Sequence, residues 1–342
     1  MNATRPLIVR RWTPLSRAAA VAFVALLAVL ACGPNWFGAA GVERLTTLFI
    51  YVILAVMWNL LAGYAGMVSV GQQAFFGLGA YAAIRLADAG VAPYPALFIA
   101  ACLVTFAALP IGTLMLRLRT GEFAIGMWVV AELAHLLVNL DKLVQGETGT
   151  SLIALQAYTS DERRAYTYWA ALATMAVVTG LVFFLLRSRV GSAAQAIRDD
   201  ETAAASVGVR VMTGKWIMFL ISAFGCAAAG ALWVATTISF QPHTYFSVQW
   251  TAYMIFMVLV GGIGTFEGPL LGAVLFFLIE TFFGAYGVWY LIGLGACALL
   301  FALVLPRGLW GSIRGRFGIQ LLPVGYRLDS GEVASGEGSE TP

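Results

Sequence analysis

Apolar residues along this chain come in blocks of lipid-spanning length, separated by short polar or glycine-bearing stretches. A bilayer core of about 30 Å takes about 20 apolar residues of α-helix at about 1.5 Å each. Ten blocks meet that requirement: 18–33, 44–62, 69–87, 94–116, 121–140, 166–186, 215–238, 248–262, 267–283 and 288–305. The eighth and ninth are short and glycine-bounded, which suits broken or re-entrant segments. The pattern predicts an all-α integral membrane protein with about ten transmembrane helices, some of them glycine-broken or re-entrant.

Composition sharpens this. Hydrophobic residues make up 61% of the 342 and charged residues 11%, against about 45–50% and about 25% in soluble domains. A soluble globular protein is excluded. Alternating the spans from a cytoplasmic N-terminus places 15 of the 20 Lys and Arg residues on the inner side and 5 on the outer, the bias of the positive-inside rule. Both termini are expected in the cytoplasm, with the first span retained rather than cleaved as a signal peptide. The four cysteines, Cys32, Cys102, Cys226 and Cys297, lie in apolar blocks without CxxC spacing and read as packing residues.

Three units follow along the chain. Residues 1–17 form a basic tail suited to anionic headgroups, residues 18–310 the membrane domain, and residues 311–342 a second cytoplasmic tail, disordered from about 329. The longest outer loop, 141–165, exceeds ordinary connection lengths and reads either as a partner-facing loop or as a passive one. Glycines concentrate at 63–81 and at 261–272. They permit close helix approach or broken helices at a transport pathway, and spacing alone leaves both readings open. Gly66, Ser69, Gly71, Gln72, Gln73, Phe75 and Gly77 in the first region, and Gly261, Gly262, Gly264 and Gly268 in the second, are the candidate pathway or hinge residues.

One polar island, 187–215, interrupts the apolar pattern while keeping helix formers. Ser192 and Gln195 fit a capping box. Asp199, Asp200 and Glu201 suit a second helix start, and Gly208 a C-terminal cap. Ala203, Ala204 and Ala205 give a slim face that another protein can approach closely.

No nucleotide-binding GxxxxGK(S/T) motif occurs, nor HExxH, nor GxSxG, so the chain is expected to bind no cofactor or metal and to catalyse no covalent chemistry. Nucleic acid is not an expected partner. Glu132 and His135 lie three apart on one helix face and can hydrogen-bond each other, and Glu280 lies near the outer end of the ninth span. Buried ionisable groups in lipid are functional candidates, yet no relay across the bilayer is present.

Residues 201–208, ETAAASVG, match the E-x-A-A-x-x-x-G loop and resemble ABC importer permeases. The run from Gly191 to Val209 is similar to branched-chain amino acid permeases of the LivM type. Three further stretches agree in order: Asn59–Tyr81, Gly261–Gly272 and Leu305–Leu309. The resemblance covers most of 45–310. Two departures stand out. Gln73 takes an apolar alanine position of the early glycine segment, and Thr148–Ile153 lacks two glycines common in relatives.

The resemblance implies a permease subunit of an ATP-driven importer for branched-chain amino acids or a related small polar solute, such as urea, an amide or an aromatic acid, in a bacterial inner membrane. It also implies a homologous second permease, two cytoplasmic ATPase subunits that hold ATP and Mg, and a periplasmic binding protein. The ATPase-coupling residues it assigns are Arg198, Asp199, Asp200, Glu201, Ala203, Ala204 and Gly208. A stand-alone ion-coupled secondary transporter or channel is the alternative.

Overall fold

Lipid-length blocks become helices almost everywhere the sequence predicts them. The computed structural model describes residues 7–10, 13–144, 146–305, 307–317, 321–325 and 327–330. Its helices are α1 Pro14–Ala31, α2 Gly33–Trp36, α3 Ala39–Asn59, α4 Gln73–Asp88, α5 Pro93–Met115, α6 Thr120–Asn139, α7 Ser160–Arg187 and α8 Arg189–Asp199. They continue with α9 Glu201–Ser206, α10 Val211–Thr237, α11 Pro242–Tyr245, α12 Gln249–Gly261, α13 Glu267–Phe283, α14 Val288–Val304 and α15 Gly308–Phe317.

Nine helical stretches among the described residues are long and apolar enough to cross a bilayer. The tenth predicted span is α4, whose 16 residues reach only about 24 Å. It starts four residues later than predicted, because residues 66–71 belong to no helix. The third span is therefore interrupted at its start. Of the two expected to be broken or re-entrant, the ninth is a continuous helix, α13, whereas the eighth reaches spanning length only by joining α11 to α12 across the non-helical residues 246–248; a glycine turn links α12 to α13.

α3 and α10 form the centre of the bundle and are buried along most of their length. α3 packs on α7, α10, α12 and α13, and α10 packs on α4 and α5. Small residues bring these backbones together, as in membrane helix pairs generally. A Cβ on Gly230 of α10 would lie 1.8 Å from the Phe76 carbonyl of α4, and one on Gly79 of α4 would lie 2.1 Å from the Ala227 carbonyl of α10. α1 and α14 sit on the outside. α1 touches α7 through Tyr168 Oη donating to the Leu30 carbonyl at 2.6 Å and Trp169 Nε1 donating to that of Ala31 at 3.0 Å. Of the cysteines, Cys226 is buried in α10, whereas Cys32 is exposed at the end of α1, where the apolar block runs out.

Two short antiparallel pairings complete the fold. β1 (Leu7–Arg10) pairs with β4 (Arg327–Ser330), with Leu7 opposite Ser330, so the two ends of the chain meet on one side. β4 extends to Ser330, just past the predicted start of disorder; residues 331–342 lie outside the described residues. β2 (Thr150–Ser151) pairs with β3 (Ser239–Phe240), which ties the long loop after α6 to the end of α10.

Candidate functional site

The polar island folds into α8 and α9, a helical elbow at one end of the bundle. Ser188, not Ser192, caps α8, its side chain accepting from the Val190 amide at 3.2 Å. The chain leaves α7 at this serine, so the helix starts earlier than the capping box suggests. Asp200 caps α9, accepting from the Thr202 and Ala203 amides at 2.8 and 2.9 Å. Gly208, at φ +86°, closes it in the left-handed region that favours glycine.

The predicted coupling residues split into two sets. Ala203 and Gly208 lie on an exposed face, together with Ala205 and Val207, which were not among the predicted coupling residues. Ala204 is buried against the bundle. Glu201 accepts from Lys215 Nζ through both carboxylate oxygens, at 2.8 and 2.7 Å. Arg198 turns towards the bundle: Nε and Nη2 donate to Asp199 Oδ1 at 3.0 and 2.8 Å, and Nη1 donates to the Gly63 carbonyl at 2.8 Å. The elbow thus offers a small-residue surface outward, and its exposed Arg198 and Glu201 are each paired with groups of their own chain.

Beneath it lies the break in the third span. α3 passes into a π-helical turn, Leu60–Tyr64, and residues 66–71 then form neither helix nor strand, with Gly66 at φ +70°. Such backbone is tolerated at membrane depth only where protein satisfies it. Here the Ser69 carbonyl accepts from Trp58 Nε1 at 3.0 Å, and Ser69 Oγ accepts from the Gly71 amide at 3.3 Å. Gly71 lies against the Met127 carbonyl of α6, and Gly77 against the Phe246 ring. Gln73 accepts from Thr251 Oγ1 on α12, so the polar residue that departs from relatives serves as an interhelical tie. Phe75 meets Phe219 edge-on, with centroids 5.5 Å apart. Gln72 is fully buried, and its amide has no hydrogen-bond partner within the chain.

The second glycine region forms the α12–α13 turn, with Gly262 at φ +131° and Gly264 at φ +70°. A Cβ on Gly261 would meet the Gly268 carbonyl at 2.0 Å, so these two residues serve close approach. Asn59, which the sequence reading did not single out, joins both glycine regions. Its Nδ2 donates to the Thr265 carbonyl at 2.9 Å, and its Oδ1 accepts from the Gly264 amide at 2.9 Å. One signal was available, a lone amide inside an apolar block. A cavity of about 200 Å³ opens between Gly66, Met67, Leu116, Phe123, Arg198 and Lys215.

At the opposite end, the loop between α6 and α7 is pinned to the bundle through Glu147 and β2. Glu147 is its hub: Oε1 accepts from Asn139 Nδ2 at 2.6 Å and lies 2.9 Å from His135 Nε2, while Oε2 accepts from the His243 amide at 3.1 Å. The predicted Glu132 contact is present too, its Oε1 standing 3.4 Å from Nδ1, so the imidazole lies between two carboxylates. Tyr81 donates to Asp141, which Arg85 approaches to 3.3 Å.

Burial acts to raise the Glu147 carboxyl, but its Asn139, His135 and His243 contacts outweigh it and hold the pKa below the ordinary value. A depressed carboxylate pKa contributes stability that is complete above the unfolded value, about 4.3, and is lost as pH falls through the folded one. Protection factors of amides 146–152 should therefore drop below about pH 4. The drop should vanish in Glu147→Gln, and an equal drop in that variant would show that Glu147 is not the cause.

The family model for branched-chain amino acid transport system permease components matches residues 42–305, more than half of the chain. This chain belongs to that family. The high-affinity branched-chain amino acid transport system permease protein LivM of Escherichia coli K12 is 26% identical over 84% of this chain and 73% of its own length. LivH of the same strain, a permease protein of the same transport system, is 23% identical over 76% of this chain and 91% of its own. A solved chain of an inward-facing ABC transporter aligns with a TM-score of 0.46 at 15% identity, covering 88% of this chain and 99% of that one. In this permease the elbow and both glycine regions fall inside the family match, whereas β1, α1 and β4 fall outside it.

Proposed function

We propose that this permease is one membrane subunit of an ATP-driven importer for branched-chain amino acids or a closely related small polar solute, and that α9 is its contact with an ATPase. The carrying observation is the exposed, doubly capped α9 at the end of the bundle, with Ala203 and Ala205 outward. A slim helix with small exposed residues fits a cleft on a partner. The names of its relatives LivM and LivH support the substrate class and a homologous second permease.

In this reading two cytoplasmic ATPases bind ATP and Mg, and a periplasmic binding protein delivers solute to the end carrying Glu147. The elbow and both paired tails face the cytoplasm of a bacterial inner membrane, as the positive-inside bias expects. The permease supplies two conformations with different affinities for its partners, and ATP in those partners supplies the free energy.

Ala205→Arg tests the contact. Gly208→Arg would add left-handed strain to bulk, since Gly208 sits at φ +86°; Ala205 is an exposed helical site, so the arginine changes only the surface. The variant should insert normally, fail to co-purify with the ATPases and lose ATP-dependent leucine and valine uptake by about tenfold or more, the scale of a disrupted contact centre. Uptake by the chain alone, driven by an ion gradient, would overturn the importer reading.

A further inference from the structure

We propose that Arg198 is a positioning residue that carries movement of α9 to the break after α3 and to the α12–α13 turn, rather than a residue that docks the ATPase. This role rests on the coupling assigned to α9 above.

Asp199 Oδ1 accepts from Nε and Nη2 of Arg198, which fixes the plane of the guanidinium and leaves Nη1 to donate to Gly63 at 2.8 Å. That carbonyl lies in the π-helical turn where α3 stops being regular. The C-terminal end of α8 is also seated on the break by shape: a Cβ on Gly66 would lie 3.1 Å from Arg198 Cα, and one on Gly264 would lie 3.1 Å from Nη1. The guanidinium thus sits between the first break and the α12–α13 turn.

Asn59 closes the unit from the other side. It lies one helical turn before Gly63 and binds the backbone of Gly264 and Thr265. α8, the end of α3 and the α12–α13 turn are therefore joined by two side chains, each gripping main-chain atoms. A shift of α9 reaches α8 directly, because Asp200 alone separates the two helices. It must then move Gly63 or break a charge-assisted bond, the stronger class of hydrogen bond. The cavity of about 200 Å³ beside Gly66 and Met67 leaves the non-helical segment 66–71 space to move. Lys215, paired with Glu201, anchors α9 to α10 and provides the pivot.

The test compares wild type, Arg198→Ala, Arg198→Lys and Asp199→Asn as full chains. Amide exchange in the purified permease should accelerate about tenfold at 60–67 and 262–266 in Arg198→Ala, the scale of one lost charge-assisted bond. In the reconstituted importer the ATPases should still co-purify, while solute moved per ATP hydrolysed falls about tenfold or more.

Arg198→Lys should restore part of that ratio, since its ammonium reaches one acceptor where the guanidinium spans two. Asp199→Asn keeps the cation but loosens its plane, and should give a partial loss even where the alanine variant fails to fold. Unchanged exchange, or ATPases lost with exchange unchanged, would overturn this role and return Arg198 to the docking face. A normal solute-to-ATP ratio overturns it as well. If the ATPases ignore the wild-type chain, the importer reading fails and this role fails with it.

Discussion

Gly230→Val should prevent this permease from accumulating as a folded, detergent-stable protein. The added Cβ would sit 1.8 Å from the Phe76 carbonyl, and that oxygen belongs to a helix backbone, so no side chain can swing aside. α4 would have to move away from α10 by more than 1 Å (a carbon needs about 3 Å or more from such an oxygen). That separation opens a close helix pair of the bundle and unseats Gly79 from Ala227 at the same interface. Ordinary overpacking costs about 1–3 kcal/mol; a clash with backbone on both sides should exceed that range. Size-exclusion profiles and thermal melts would report it. Gly293→Val is the matched control, because a Cβ there meets nothing within 4 Å and the site is exposed on α14. Equal behaviour of the two variants would show that the α4–α10 contact does not limit stability.

Asn59→Leu should be the second most damaging single change. Leucine is close to asparagine in size, so packing is nearly kept, but the Gly264 amide and the Thr265 carbonyl both lose a 2.9 Å partner at a position only 3% exposed. Each orphaned buried group costs about 1–3 kcal/mol, hence about 2–6 kcal/mol for the pair. Asn59→Asp separates the two bonds. It keeps an acceptor for Gly264 but places a carboxylate against the Thr265 carbonyl, so it should also destabilise. A melt of Asn59→Leu within 2 °C of wild type would show that the turn finds other donors and acceptors.

Much of the architecture was legible because membrane insertion is a local property. Each span had only to be about 20 residues long and apolar, and helix boundaries followed the apolar blocks to within a few residues. The caps at Asp200 and Gly208 were equally local, since each depends on side chains and φ values within one turn. Ser188 was missed because the preceding helix, α7, decides where α8 can begin. Which glycine region interrupts a helix stayed open because glycine is compatible with several outcomes. At 261–268 it serves a turn and close packing, while at 63–72 it accompanies an interrupted helix, and only the neighbours distinguish them.

The site divides along the same line. Sequence alone pointed to a lipid-spanning helical bundle, a capped polar elbow and the family motif, since all of these are carried by residues near one another in the chain. Tertiary structure alone decided which way the charges point. Arg198 sits 135 residues from Gly63, and Asn59 lies 206 from Thr265; Glu147 meets His243 across 96. No periodicity encodes such pairs. They arise where the fold brings an unpaired backbone group to a side chain that can reach it, and burial in an apolar bundle makes leaving that group unpaired the costlier choice.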